Sequence, residues 1–178
     1  MSDYKLKNGE SVTIRLPKIE DAEDIVYLKE NTDRETLFLA LEPGEHTITV
    51  DGEENIIQEA TEDSDSQWFV AQYQGKVVGQ CYVGLVQRNL RFRHRAEVGF
   101  VILKEYCNLG IGGKLMEECI DWCIQHEVEQ MELNVVCENE VALKMYQDFG
   151  FIVYGTIPHA LKYLDDTYAN EYYMVKPL

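Results

Sequence analysis

The chain has 178 residues, 46% hydrophobic and 27% charged, a length and composition that suit one folded domain and exclude a disordered segment. Its 16 Lys and Arg stand against 32 Asp and Glu, a formal net charge of −16. That balance disfavours nucleic acid as a primary partner, suits a cationic small molecule or a basic protein, and serves solubility in any case.

The opening segment MSDYKLKNGE is polar and carries no signal-peptide stretch, and no run of eighteen apolar residues follows. The expectation is a cytoplasmic protein without a membrane partner. Residues 11–17, SVTIRLP, alternate as a strand does. In residues 19–33 the positions Ile19, Ala22, Ile25, Val26 and Leu28 recur at helical spacing. The signal from Arg34 to Gln67 is mixed: a Pro-Gly turn, a Thr-rich stretch, and ENIIQEATED as a short second helix. Two strands, QWFVAQYQ and KVVGQCYVGLVQ, then meet at a short Gln74-Gly75-Lys76 turn, and RFRHRAEVGFVIL adds a third. Such a run of strands predicts an antiparallel meander.

The pattern changes at YCNLGIGGKL, residues 106–115, with three glycines in four positions. Leu115, Met116, Cys119, Ile120 and Cys123 then mark one helical face. MELNVVC reads as a strand, and NEVALKMYQDF as a helix with Ala142, Met145, Tyr146 and Phe149 on one side and Gly150 at its C-cap. FIVYGTI and EYYMVKPL close the chain as strands, joined by a polar loop from Pro158 to about Ala169. The predicted class is α/β (α+β), in the order β-α-α-β-β-β-α-β-α-β-β, as a single domain over residues 1–178 with no repeats or linkers.

The five cysteines are odd in number, so a disulfide framework is not expected. Cys119 and Cys123 share an apolar stripe and read as core rather than as metal ligands; no metal site is expected. Cys107 lies in the glycine turn, where helix-terminal amides lower a thiol pKa, but nothing supplies a paired base.

A strand running through a glycine turn into a helix leaves backbone N–H groups free at the helix start, where anions bind. Gly110, Gly112 and Gly113 lack side chains that would hold a phosphate away. By itself such a turn is more often a mere connection. A P-loop is excluded because Leu115, not Ser or Thr, follows Lys114, and a G-x-G-x-x-G fingerprint because it would need glycine at position 115.

Here the sequence resembles the GCN5-related N-acetyltransferase (GNAT) superfamily. The family's Gln/Arg-x-x-Gly-x-Gly/Ala motif, which wraps the pyrophosphate of acetyl-coenzyme A, aligns with Cys107-Asn108-Leu109-Gly110-Ile111-Gly112. Cysteine departs from the usual Gln or Arg, which removes one side-chain contact and leaves the backbone cradle. A second motif, Asn-x-x-Ala-x-x-x-Tyr-x-x-x-Gly-Phe, aligns with Asn139, Ala142, Tyr146, Gly150 and Phe151. The resemblance covers nearly the whole chain. It implies a mixed, mostly antiparallel sheet of about seven strands with about four helices, whose strands splay at the cofactor cleft.

The resemblance also implies site residues. Asn108, Leu109, Gly110, Ile111, Gly112, Gly113 and Lys114 would cradle the pyrophosphate. Phe100, Val101, Ile102 and Leu103 would meet pantetheine through their backbone. Tyr146 would be the general acid toward the leaving thiolate, although its place on an apolar stripe equally suits core packing. Glu97 would be the base, against a solvated carboxylate paired with Arg93 or Arg95, and with His94 as rival. Asn139 suits either the pantetheine arm or a helix cap, with Ala142 beside it, and Lys144 either a phosphate or solvent.

The acceptor is expected to be a primary amine, a small cationic amine or a protein amino group. It would meet Glu42 and Glu45 from the segment after the first helix and Tyr163, Asp165, Asp166, Tyr168, Tyr172 and Tyr173 near the C-terminus. The same tyrosines suit a homodimer interface. The competing readings are a non-catalytic acyl-coenzyme A sensor of this fold and a nucleotide-binding α/β protein.

Overall fold

A two-residue turn, Gln74-Gly75, sets the register of the sheet's centre. Both residues take positive φ (50° and 86°), the twist that suits a tight hairpin. It joins β3 (Ser66–Tyr73) to β4 (Lys76–Leu85), with Tyr73 opposite Lys76. β5 (Arg95–Ile102) continues antiparallel beside β4, and β2 (Ser11–Arg15) flanks β3. The remaining elements are β1 (Ser2–Lys5), α1 (Ala22–Glu35), α2 (Val50–Ala60), α3 (Ile111–Gln125), β6 (Gln130–Val136), α4 (Glu140–Asp148), β7 (Ile152–Lys162) and β8 (Tyr168–Pro177). This is a computed structural model, and it describes all residues 1–178.

The eight strands form one sheet in the order β1-β2-β3-β4-β5-β6-β8-β7. Apolar side chains of β2, β4 and β5 (Val12, Ile14, Cys81, Val83, Ala96, Val98) pack on one face against Leu115, Met116 and Cys119 of α3. A smaller cluster on the other face joins Trp68, Val70 and Val77 to Ile25 and Leu28 of α1 and Ile57 of α2. Cys119 and Cys123 are fully buried, as core residues should be. No helix is long and apolar enough to cross a membrane.

Four local features differ from the sequence reading. The polar N-terminus supplies an extra strand: Ser2 to Lys5 pairs with Ser11 to Ile14, giving eight strands rather than about seven. Ile19 is half exposed because Ile19–Asp21 forms a 3₁₀ turn ahead of α1. Asp21 turns inward there and takes a two-pronged bond from buried Arg15, both at 2.7 Å. The second helix starts four residues early, because the Thr49 hydroxyl caps it by accepting from Gly52 N–H at 3.1 Å. The expected loop from Pro158 to Ala169 is mostly strand. A register shift between Ile157 and Leu161 absorbs Pro158, which has no N–H for a ladder, and the turn spans only residues 163–167.

Candidate active site

β5 and β6 run parallel but pair only at Arg95–Gln130, Ala96–Met131 and Glu97–Glu132. Beyond Glu97 they separate, because β6 stays paired with β8 through Val136 while β5 stays paired with β4 through Ile102. In an antiparallel ladder alternate residues direct both backbone groups to the same neighbour. Leu103 N–H bonds to Val78 O at 3.0 Å and Arg95 O accepts from Val86 N–H at 3.0 Å. Val101, of the same parity, therefore also faces β4, whereas Val98, Phe100 and Ile102 direct their N–H and C=O into the gap. Of the four residues assigned to backbone contact, Phe100 and Ile102 are so placed, and Leu103 is already engaged.

The glycine turn closes the end of this gap. From Asn108 to Gly113, six consecutive N–H groups donate to no carbonyl of the chain. Asn108 (φ 64°) and Gly110 (φ 101°) take left-handed backbone, which curls the amides into a concave row at the start of α3. A Cβ on Gly110 would lie near nothing but the stem of Lys7, at 3.9 Å. Gly112 and Gly113 do other work: a Cβ at Gly112 would come within 2.9 Å of Met145 Sδ, and one at Gly113 within 3.7 Å of Phe149. Gly112 lets α4 approach α3, Gly113 would meet Phe149 only in ordinary contact, and the amides of both remain free for the cradle. The row fits a pyrophosphate, because its donors are free, consecutive and sited at a helix start.

Side chains around the turn are partly committed. Lys114 pairs with Glu117 at 2.7 Å and lies over the Tyr4 ring. Lys144 pairs with exposed Asp148 at 2.9 Å, the solvent-side alternative. Asn139 caps α4 by accepting from Ala142 N–H at 3.2 Å, so its oxygen is engaged. Cys107 is no thiolate: burial, then nearby Glu35, push its pKa up, against a smaller opposing effect of Lys104. The sequence reading missed Lys7. Its N–H donates to Leu109 O at 3.1 Å, its stem runs along Gly110, and no carboxylate pairs with it. Nothing in the sequence flagged it, since about a hundred residues separate it from the turn.

Tyr146 reaches the gap from α4 and sits between Phe100 and Phe151, with ring centroids at 6.1 and 5.9 Å. Burial, with a smaller effect of Cys119, pushes its pKa up to about 12, and no hydrogen bond engages its hydroxyl. Such a phenol stays protonated and is a weaker acid than a thiol, so it suits hydrogen-bond donation to a thiolate better than outright proton transfer. Glu97 is exposed and shares a strand face with Gly99 and Val101. Neither Arg93 nor Arg95 takes it, because Arg95 binds Glu132 at 2.7 Å. His94 precedes β5 at the end away from the gap, where its carbonyl accepts from Glu129 and Gln130.

The segment between α1 and α2, where the acceptor was expected to bind, faces the β7–β8 hairpin. A cavity of about 340 Å³ lies between them, lined by Glu42, Tyr163 and Glu171 among others. Tyr163 ties the two together by donating to Leu37 O at 2.8 Å. A second cavity of about 200 Å³ shares Leu39 to Leu41 with the first and reaches Val101 on β5. Other residues expected here serve the local fold. Glu45 accepts from Glu42 N–H, Asp165 from Thr167, and Asp166 pairs with Lys162. Tyr168 stacks on His159, and Tyr173 on Tyr154.

A strand pair that parts beside a glycine-turned helix start, over a mixed sheet, defines an acyl-coenzyme A type of site. In agreement, the model of the Acetyltransferase (GNAT) family matches residues 26–151. The chain belongs to this family. It is 34% identical over 110 residues to the L-amino acid N-acetyltransferase AaaT of Escherichia coli (strain K12), covering 61% of this chain and 66% of that one. In structure it is similar to an acetyltransferase of the GNAT family from Streptococcus pneumoniae, with TM-score 0.86, 26% identity, and 94% and 99% of the two chains covered. The fold is shared with yncA of Salmonella typhimurium, solved with its cofactor acetyl-CoA (TM-score 0.81, 18% identity, 94% of each chain covered).

Proposed function

We propose that the protein is an N-acetyltransferase that moves an acetyl group from acetyl-coenzyme A directly to a primary amine. The observation that carries this is the row of six free amides at the glycine turn, opening onto the gap where β5 and β6 part. Acetyl-coenzyme A supplies the acetyl group as a thioester. The Asn108–Gly113 amides hold its pyrophosphate, with unpaired Lys7 adding a cation beside Gly110. The backbone of Phe100 and Ile102 pairs with its amide-bearing arm, and the Tyr146 hydroxyl stabilises the leaving thiolate by hydrogen bonding. Glu97, exposed on the acceptor face of β5, receives the acceptor's proton through water. The relative's name places free L-amino acids among the acceptors to try, and the acidic outer cavity adds aliphatic diamines.

The test is thiol release from acetyl-coenzyme A across a panel of L-amino acids, diamines and peptides, alongside thermal unfolding with and without coenzyme A. A ligand present well above its Kd raises stability by about 3 kcal/mol. Stabilisation together with thiol release on at least one amine supports the reading. Stabilisation with no turnover on any amine marks an acyl-coenzyme A sensor instead, and no stabilisation overturns both.

A further inference from the structure

The 200 Å³ cavity beside Val101 contains a carboxylate–imidazole pair that the family motifs do not include. Asp33 comes from the last turn of α1 and His46 from the segment before α2, and both line this cavity. Asp33 is only 3% exposed, and its Oδ2 takes part in no well-aligned hydrogen bond. His46 Nε2 lies 3.2 Å from that oxygen. A buried carboxylate left this way is costly, and burial duly pushes the Asp33 pKa up, against a smaller lowering by His46. Val101 of β5 forms part of the same wall, and Gly99, two residues before it, would meet nothing within 4 Å with an added Cβ.

We propose that His46, held by Asp33, is the base that first contacts the acceptor amine and takes its proton in this cavity. The proposal rests on the acetyl-transfer reading above. A carboxylate can only accept, so Asp33 requires the proton on Nε2, and Nδ1 keeps its lone pair. This is the arrangement in which a base is oriented by a third group. The other charged groups around the pair are Lys29 of α1, itself held by Glu53 of α2 at 2.6 Å, and Glu45 of the intervening segment. Neither β4 nor β5 adds a charge to the cavity wall: Gln80 and Val101 face it. Glu97 lies four residues along β5 from Val101, about 13 Å of strand, and so is reached only afterwards, through water.

His46 takes one proton from the ammonium, and the freed lone pair forms the C–N bond to the acetyl carbon as the C–S bond breaks. The second proton of that nitrogen goes to the departing thiolate, and His46 passes its own to water, so one proton is released per turnover.

The experiment compares wild type with His46→Gln, Asp33→Asn and Glu97→Gln, using as acceptor an L-amino acid or 1,4-diaminobutane, whichever the wild type acetylates. His46→Gln is expected to lower kcat/KM for the amine about 100-fold at pH 7. The loss should shrink toward pH 9.5, where the amine sheds its proton unaided. Stabilisation by coenzyme A, read by thermal unfolding, should be unchanged, which shows the variant folded. Independently of turnover, ¹⁵N NMR of the wild type should report the Nε2–H tautomer at His46, and Asp33→Asn should loosen that preference. A His46→Gln rate within threefold of wild type, a loss independent of pH, or an Nδ1–H tautomer overturns the proposal. So does the pH-dependent loss appearing in Glu97→Gln alone. If the wild type itself neither binds coenzyme A nor releases thiol, the acetyl-transfer reading fails instead.

Discussion

The two sides of β5 are made of different material. On the side facing β6 the site is backbone: the groups of Phe100 and Ile102 and the six amides from Asn108 to Gly113, all within fourteen consecutive residues. On the other side the site is side chains from distant places, Asp33 and His46 from either side of one loop and Gln80 from β4, with the hairpin's Tyr163 closing the outer cavity. A backbone site binds what every family member shares, because amides are present whatever the side chains are. A side-chain site can change from one relative to the next without disturbing the sheet. The contrast predicts that substitutions on the two sides separate cleanly into effects on coenzyme A and effects on the amine.

The largest expected effect lies where the two sides meet. Tyr146→Phe keeps the packing against Phe100 and Phe151 and removes only the hydroxyl; kcat should fall about 100-fold with the Kd for coenzyme A nearly unchanged. Steady-state kinetics with calorimetric binding checks this, and unchanged turnover would leave Tyr146 as plain core. Next is Gly110→Val, which forces a β-branched residue to φ 101°. It should cost about 2 kcal/mol of stability and weaken coenzyme A about tenfold, leaving the KM for the amine alone. A rise in amine KM of equal size would break the division between the two sides. Lys7→Ala should weaken coenzyme A only about threefold, as an exposed cation does, and the difference should disappear in 1 M salt.

The smallest effect concerns stability on the acceptor side. Burial raises the folded pKa of Asp33, so ionising it opposes folding. The wild type therefore loses stability relative to Asp33→Asn as pH rises from the unfolded pKa of a carboxyl through the raised folded value, and the two converge below it. Asp33→Asn should melt slightly higher than wild type at pH 8 and alike at pH 3, while its turnover falls. A lower melting point at pH 8 would mean that the carboxylate supports the fold rather than burdening it for function.

Much of the cofactor side was legible in the sequence because its determinants are local. Three glycines in four positions, a strand before them and an amphipathic helix after them specify a turn with free amides. The Asn139-to-Phe151 spacing, in turn, specifies a helix that brings Tyr146 to it. One feature of the turn was not legible locally: Gly112 also makes room for Met145 of a helix about thirty residues later, where an added Cβ would come within 2.9 Å of Sδ. The hairpin strands were read too short because Pro158 looks like a loop residue until a register shift accommodates it.

The sequence by itself determined the order of elements from Ser11 onward, the family and the position of the glycine turn, since periodicity, glycine and short motifs act over one or two turns of chain. Only the tertiary structure decided that β5 and β6 part after Glu97, that Lys7 reaches Gly110, and that Asp33 meets His46 beside Val101. These depend on where a strand finds its neighbour and on which side chains a fold encloses, and contacts between residues far apart in the chain leave no periodic trace in it.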